Sequence, residues 1–199
     1  MHRKVGEVAY LELDEIWRST LHRRIAVALE MQHPGSPVIA EAIGGHYLRA
    51  GENGKAFRYL ATSAIRLWER SLSQQAWDIS ERAMLLSESA RHDLTELEHA
   101  KSRMKLLRVR ADVAYNRGAW VHAEQVLASL HTVAEGLGDA RVASDARLCR
   151  GVSLRRLGRT EAGEEMIRWV VDDARERGDR RAMIEGLRHL AVLAWEQGN

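Results

Sequence analysis

Gly118, Gly158 and Gly198 stand forty residues apart, and midway between them Gly138-Asp139 recurs forty residues later as Gly178-Asp179. Each of the three glycines closes a helical run of apolar residues, and each Gly-Asp opens one. A fixed period of this size, built from helix–turn–helix units, restricts the chain to an α-solenoid.

In such a hairpin the residue just past the first helix needs a left-handed backbone, which glycine adopts without steric cost. Gly51, Gly118, Gly158 and Gly198 fit that position. Five residues later the two helices cross closely and a small side chain is needed; the chain has Ala56, Ala123 and Gly163. Seven residues before the turn the same need is met by Gly44, Ala111, Gly151 and Ala191. Four residues before it stand Tyr47, Ala114, Leu154 and Ala194, where a large side chain is preferred. On these positions the region from about residue 36 to the end resembles tetratricopeptide repeats of the longer, forty-residue kind. The resemblance implies an all-α, right-handed α-solenoid of tetratricopeptide-like hairpins with about nine helices in the chain, the repeat array at residues 36–199 following a helical junction segment at residues 1–35.

Composition agrees with a folded helical chain. Apolar residues are 45% of the 199, and the only two prolines, Pro34 and Pro37, share one loop. Thirty basic residues against 28 acidic ones leave a formal charge of +2, which makes no electrostatic case for nucleic acid. No apolar run approaches the roughly 20 residues of a membrane span, and Met1-His2-Arg3-Lys4 is not followed by the apolar core of a signal peptide. The single cysteine, Cys149, excludes an internal disulfide, suits a reducing cytoplasm and reads as a buried structural thiol.

Along the chain, residues 5–31 read as one or two helices on Val8, Leu11, Ile16, Leu21, Ile25 and Leu29. Ser36-Pro37 marks a helix start, a capping serine before a proline at the first helical position. Asn53, Ser73, Asp139 and Thr160 read as caps, and Asp93 with Glu96 as a capping box. The helix from Ser73 is expected to reach about Ser87. From Gly51 to Gly118 the register slips, to 67 residues rather than 80. The last helix, 179–197, has Ile184, Leu187, Leu190, Ala191 and Ala194 as its apolar set. It ends in the turn that should lead to a partner helix, so the array reads as truncated there.

Catalytic and metal-binding patterns are missing. Gly51-Glu52-Asn53-Gly54-Lys55-Ala56 has Arg49 where a phosphate loop needs its first glycine and Ala56 where it needs a hydroxyl. The histidines do not cluster with each other or with cysteine; His92 and His99, seven apart, read as solvated helix surface. Glu164-Glu165 and Asp172-Asp173 read as surface ion-pair partners of nearby arginines. The expectation is no enzyme, no cofactor and no metal.

In tetratricopeptide arrays the first helix of each pair lines a concave groove. The register places there Lys105, Arg108, Asp112, Tyr115 and Asn116 from one repeat. The next gives Asp145, Leu148, Val152, Arg155 and Arg156, and the last Glu185, Arg188, Val192, Trp195 and Glu196. Positive and negative side chains nearly cancel, which suits a peptide or helix of mixed character. Trp120, close after Gly118, should cover the turn. Asp112 stands where a clamp for chaperone C-terminal carboxylates would need asparagine.

Glu7-Val8-Ala9-Tyr10, then Leu21-His22-Arg23-Arg24-Ile25-Ala26 and Ala28-Leu29-Glu30, resemble a junction in large multidomain bacterial regulators. Ile39-Ala40-Glu41 through Gly51, with Ala56 and Tyr59-Leu60, is similar to their first repeat. These regulators, which include adenylate cyclases, serine/threonine kinases and transcriptional activators, join an ATPase module to tetratricopeptide repeats. The resemblance implies a cytoplasmic, non-catalytic sensing module that binds a protein, peptide or effector in its groove and gates an output domain. One such partner is the output or ATPase domain of the same longer chain. A standalone scaffold organising a multiprotein complex is the alternative, and an enzyme with a site spread over the groove the third.

Overall fold

The computed structural model describes residue 10, residues 12–196 and residue 198, so Val8 and Leu11 lie outside the described residues. Among the described residues there are ten helices and no strand. They are α1 (Glu15–Gln32), α2 (Ala40–Arg49), α3 (Asn53–Glu69), α4 (Ser73–Met84) and α5 (Ser87–Ala90), followed by α6 (Glu96–Asn116), α7 (Trp120–Gly136), α8 (Ala140–Arg156), α9 (Thr160–Arg177) and α10 (Arg180–Glu196). The chain divides into two compact units, residues 1–106 and 107–199. In the first, α1 packs on α2, α2 on α3, and α3 on both α4 and α5. In the second, each helix from α7 to α10 packs on the next, and α8 also meets α10.

The glycine period is a period of turns. Gly51, Gly118, Gly138, Gly158, Gly178 and Gly198 all have φ between +69° and +80°. After the first five, the next amide donates back across the turn, as Ala119 does to Ala114 O (3.0 Å) and Arg159 to Leu154 O (3.0 Å). This bond satisfies a carbonyl that the helix end would leave open, and only a left-handed residue lets the chain make it. Trp120 covers the turn at Gly118, edge-on to Tyr115 with centroids 5.3 Å apart.

The slipped register lies between Ser71 and Gly118, where α4 ends at Met84 and the short α5 precedes the long α6. Ser71 itself keeps the register: it is the only non-glycine residue with positive φ (+61°) among the described residues, and Leu72 N donates to Leu67 O at 2.9 Å. The α3–α4 turn is therefore the same turn with serine in the glycine position.

The expected small residues sit at helix crossings. A Cβ on Gly151 would stand 2.8 Å from Ile167 Cγ1 and 2.9 Å from Gly163 O; one on Gly163 would stand 2.5 Å from Gly151 O. Ala56, Ala111 and Ala123 are buried. These crossings let Leu148, Val152, Ile167, Val170 and Leu193 close into one core in the second unit. Ala26, Ile43, Tyr47 and Ala56 form the corresponding core in the first. Each large apolar side chain so buried stabilises by about 1.5–3 kcal/mol.

Helix α1 adds a set of polar bonds to the packing of Ala26 and Leu29. Ser19 Oγ donates to Ala50 O (3.0 Å), and His22 Nδ1 and His46 Nδ1 are hydrogen-bonded at 2.9 Å. Glu30 accepts from Tyr47 Oη (2.5 Å) and from Tyr59 Oη, and Arg23 pairs with Glu52 at 2.8 Å. Burial holds both histidines below the usual imidazole range, His22 also through His46 and Arg49 and His46 through Arg49.

Several local expectations are corrected. The helix after Pro37 starts at Ala40, because a turn at Pro37-Val38 brings Ile39 against the core of Ala26, Ile43 and Tyr47. Asn53, Ser73 and Thr160 are first helical residues and not caps; the left-handed turn already satisfies the preceding helix end. Asp139 does cap, accepting from Val142 N at 3.0 Å. The capping box before α6 is Thr95 with Glu98 (3.1 and 3.3 Å). Asp93 instead accepts from Gly54 N at 3.0 Å, where a Cβ on Gly54 would collide with it. The helix from Ser73 stops at Met84, and Ser87 falls in the separate α5. His99 is buried, not solvated: it stacks on Phe57 and its Nε2 donates to Ser87 O at 2.9 Å. The acidic pairs do meet arginines, as Arg168 with Glu164 and Arg177 with Asp173.

On α10, Ile184, Leu187, Ala191, Ala194 and Trp195 face outward, with Trp195 80% exposed. Forty residues earlier on α8 stand Ser144, Arg147, Gly151, Leu154 and Arg155. There the face is covered by α9: Gly151 and Arg155 abut Gly163, Arg147 lies 3.6 Å over the Trp169 ring, and Ser144 accepts from Arg177 at 2.8 Å. The apolar set of α10 is thus the stripe that α9 covers on α8.

Replacing Gly151 by Leu should lower stability by about 2–4 kcal/mol through overpacking at the α8–α9 crossing, whereas Arg156→Ala should change it by less than about 0.5 kcal/mol. Denaturant melts of the two variants check the order. Ser71→Gly should raise stability by about 1 kcal/mol by relieving a left-handed serine; a loss in the same melt would contradict the turn assignment.

Candidate functional site

The second unit contains a half-open cavity of about 320 Å³ between α6, α8 and α10, with Leu127 and Leu130 of α7 in its wall. Its lining follows the repeat. Arg108, Leu148 and Arg188 occupy equivalent positions forty residues apart, as do Asp145 and Glu185. On α6, Arg108, Asp112 and Tyr115 are four and three residues apart and share one helix face. Asp145, Leu148 and Cys149 do the same on α8, and Arg181, Glu185 and Arg188 on α10.

Charge in the cavity is paired: the side chains of Asp145 and Glu185 are 35% and 43% exposed, those of their partners Arg181 and Arg188 52% and 64%, and Asp112 lies partly buried beside the exposed Arg108. Arg181 holds Asp145 in a two-pronged pair (3.0 and 3.2 Å), and Arg188 holds Glu185 (2.8 and 3.1 Å). Burial pushes the Asp112 carboxyl up to about 6; Asp145 adds to the shift and Arg108 opposes it. Burial also pushes the Cys149 thiol up to about 12, helped by Asp112, Asp145 and Glu185. Such a thiol stays protonated near neutral pH and is a poor nucleophile. Tyr115 is raised by burial and Cys149 against Arg156 and Arg188, and His189 is lowered chiefly by burial and Arg188.

Of the side chains expected on the inner face, Arg108, Asp112, Tyr115, Asp145, Leu148, Glu185 and Arg188 meet at this cavity. Asn116, Arg156 and Trp195 are exposed and do not line it. Arg155 lies against Gly163 of α9. Val152 is in the core, and the Glu196 side chain lies outside the described residues. Lys105 belongs to the first unit, where its Nζ donates to Thr62 Oγ1 at 3.5 Å and burial, with Arg58, lowers its pKa. Sequence reasoning missed Arg181, His189 and the exposure of Cys149 to the cavity. Arg181 follows Asp145 by one repeat less one helical turn, a spacing that could have revealed the pair.

Among the described residues no group of three or more His, Cys, Asp or Glu side chains could hold a metal ion, and no helix is long and apolar enough to cross a membrane. No family model matches the chain, and no curated protein matches it.

Asp112 titrates near 3.8 in an unperturbed chain and near 6 here. Between those values the folded protein holds a proton that the unfolded chain lacks, so this group's contribution to stability is full at low pH and is lost as pH rises through the window. Asp112→Asn should therefore raise stability at neutral pH by on the order of 1 kcal/mol and flatten its dependence between the two values. Urea melts across that range measure both.

Proposed function

We propose that the chain is a non-catalytic interaction and sensing module of tetratricopeptide-like helical hairpins. In this reading it holds a peptide, protein or effector in the cavity of residues 107–199 and regulates an output domain of a longer bacterial signalling protein. The observation that carries it is the cavity lining: equivalent positions of successive repeats, Arg108, Leu148 and Arg188, converge on one concave space. The left-handed turns and the close Gly151–Gly163 crossing support the hairpin type. The charge-balanced, partly apolar lining suits a ligand of mixed character more than a polyanion. A reducing cytoplasm fits the unpaired Cys149.

The alternative is a scaffold in a multiprotein complex. It is favoured by the apolar stripe on α10 and by exposed Ile16, Trp17 and Met31 on α1, since contiguous exposed apolar faces mark interaction surfaces.

Panning a displayed peptide library on the 199-residue chain tests the groove reading. The selected peptides should lose about ten-fold or more in affinity on Arg188→Glu and keep it on Arg24→Glu, a change on α1. Peptides indifferent to Arg188→Glu, or sensitive to Arg24→Glu instead, would move the binding surface elsewhere and favour the scaffold.

A further inference from the structure

Leu187, Ala191, Ala194 and Trp195 of α10 repeat, two periods on, Leu107, Ala111, Ala114 and Tyr115 of α6. Three of the four are identical and the fourth stays aromatic. At these spacings each set shares one helix face. On α6 that face is closed: Leu107, Ala111 and Ala114 are 4%, 1% and 2% exposed, and Tyr115 meets Trp120 of α7. On α10 it is open: Leu187 is 44% and Trp195 80% exposed, and both alanines are exposed. The same side chains serve as core on α6 and as surface on α10, and a contiguous apolar surface marks an interaction site.

The chain also shows what kind of element closes such a face. In two hairpins the residue seven before the turn glycine meets the aliphatic residue nine after it. A Cβ on Gly44 would stand 3.0 Å from Leu60 Cγ, and one on Gly151 2.8 Å from Ile167 Cγ1. Four residues before each aliphatic stands a small residue, Ala56 before Leu60 and Gly163 before Ile167. Helix α7 has Ala123 and Leu127 in the same two positions, both buried. Each such helix follows a tight turn and so runs antiparallel to the one it covers. Ala191 holds on α10 the position of Gly44 and Gly151. The exposed charges along its stripe, Arg180 and Arg188, are both basic, which suits flanking carboxylates on the occupant and disfavours a second copy of α10.

We infer that the outward face of α10 is a docking site for an amphipathic helix of a partner protein, laid antiparallel across Ala191, with Gly or Ala at the crossing and Leu or Ile four residues later. Leu187 and Trp195, one turn to either side of Ala191, supply the apolar area, and Ala191 and Ala194 let the two backbones approach. The inference does not rest on the cavity, whose α10 residues Arg181, Glu185 and His189 lie on other sides of the helix.

The probe is a fluorescein-labelled peptide of the α7 sequence, residues 119–137, which carries the pattern. Its binding to the 199-residue chain is read by anisotropy, and 15N amide shifts locate the contact. It should bind and shift amides from Ile184 to Trp195. Replacing Leu127 of the peptide by Lys, or Ala123 by Phe, should weaken binding by about ten-fold or more. On the chain, Leu187→Glu and, separately, Trp195→Ala should each cost about as much. Both side chains lie at the surface, so the melting temperature should stay where it is. Failure of the peptide to bind, undiminished binding by both chain variants, or shifts confined to residues outside α10 overturns the inference. Sedimentation of the chain alone is the remaining arm. A dimer that Leu187→Glu returns to monomer assigns the face to a second copy and overturns the partner helix; a monomer, or a dimer indifferent to Leu187→Glu, supports it. The Arg188-dependent selection that tests the cavity reads a different surface, so either reading can fall while the other stands.

Discussion

Where α8 crosses α9, the carbonyl oxygen of Gly151 lies 2.5 Å from the point a Cβ on residue 163 would occupy. Two backbones this close leave no room for side chains between them, and much of the second unit's packing follows from that approach. It sets how far Ile167 and Val170 reach into the core beside Leu148 and Val152. The turn at Gly158 serves the same end, because a left-handed residue reverses the chain within the few residues that separate α8 from α9. A larger side chain at either glycine would move α9 outward and loosen the core beneath it.

The cavity is a by-product of this packing that has acquired a charge pattern. Since α8 and α10 follow the same register, equivalent residues come to the same side of the unit, and Asp145 and Glu185 both line the cavity. Each is closed by an arginine of α10, Arg181 in a two-pronged pair with Asp145 and Arg188 with Glu185. Asp112 has no such equivalent forty residues on, where Val152 stands in the core. It is the carboxylate whose ionisation burial opposes most visibly, with a pKa near 6.

The turns were legible because left-handed backbone strongly favours one residue type, and a residue chosen for its backbone leaves a periodic mark. The mark fails at Ser71, where a serine takes the same conformation. The crossings were legible for a similar reason: Gly151, Gly163, Ala111 and Ala123 are small because space there is short. Helix caps were less legible, since Thr95 and Asp93 both precede α6 and only the approach of Gly54 decides which one caps. His99 was misread because its burial depends on α4 breaking after Met84, which brings Ser87 to its ring. Within the cavity, residues in strict register were found. Arg181 and His189 were not, because depth and tilt, not register, bring them in.

Helix α1 carries Ile16, Trp17 and Met31 outward and fastens itself with Ser19, His22, Arg23 and Glu30. Greasy contacts tolerate sliding and rolling, but a carboxylate gripped by two phenols and an imidazole aligned on another tolerate neither. The helix is keyed rather than glued. Its rotation about its own axis is fixed by the hydrogen-bond directions, so its outward apolar side points one way relative to α2 and α3. Whatever meets that side finds a surface whose bearing is already set.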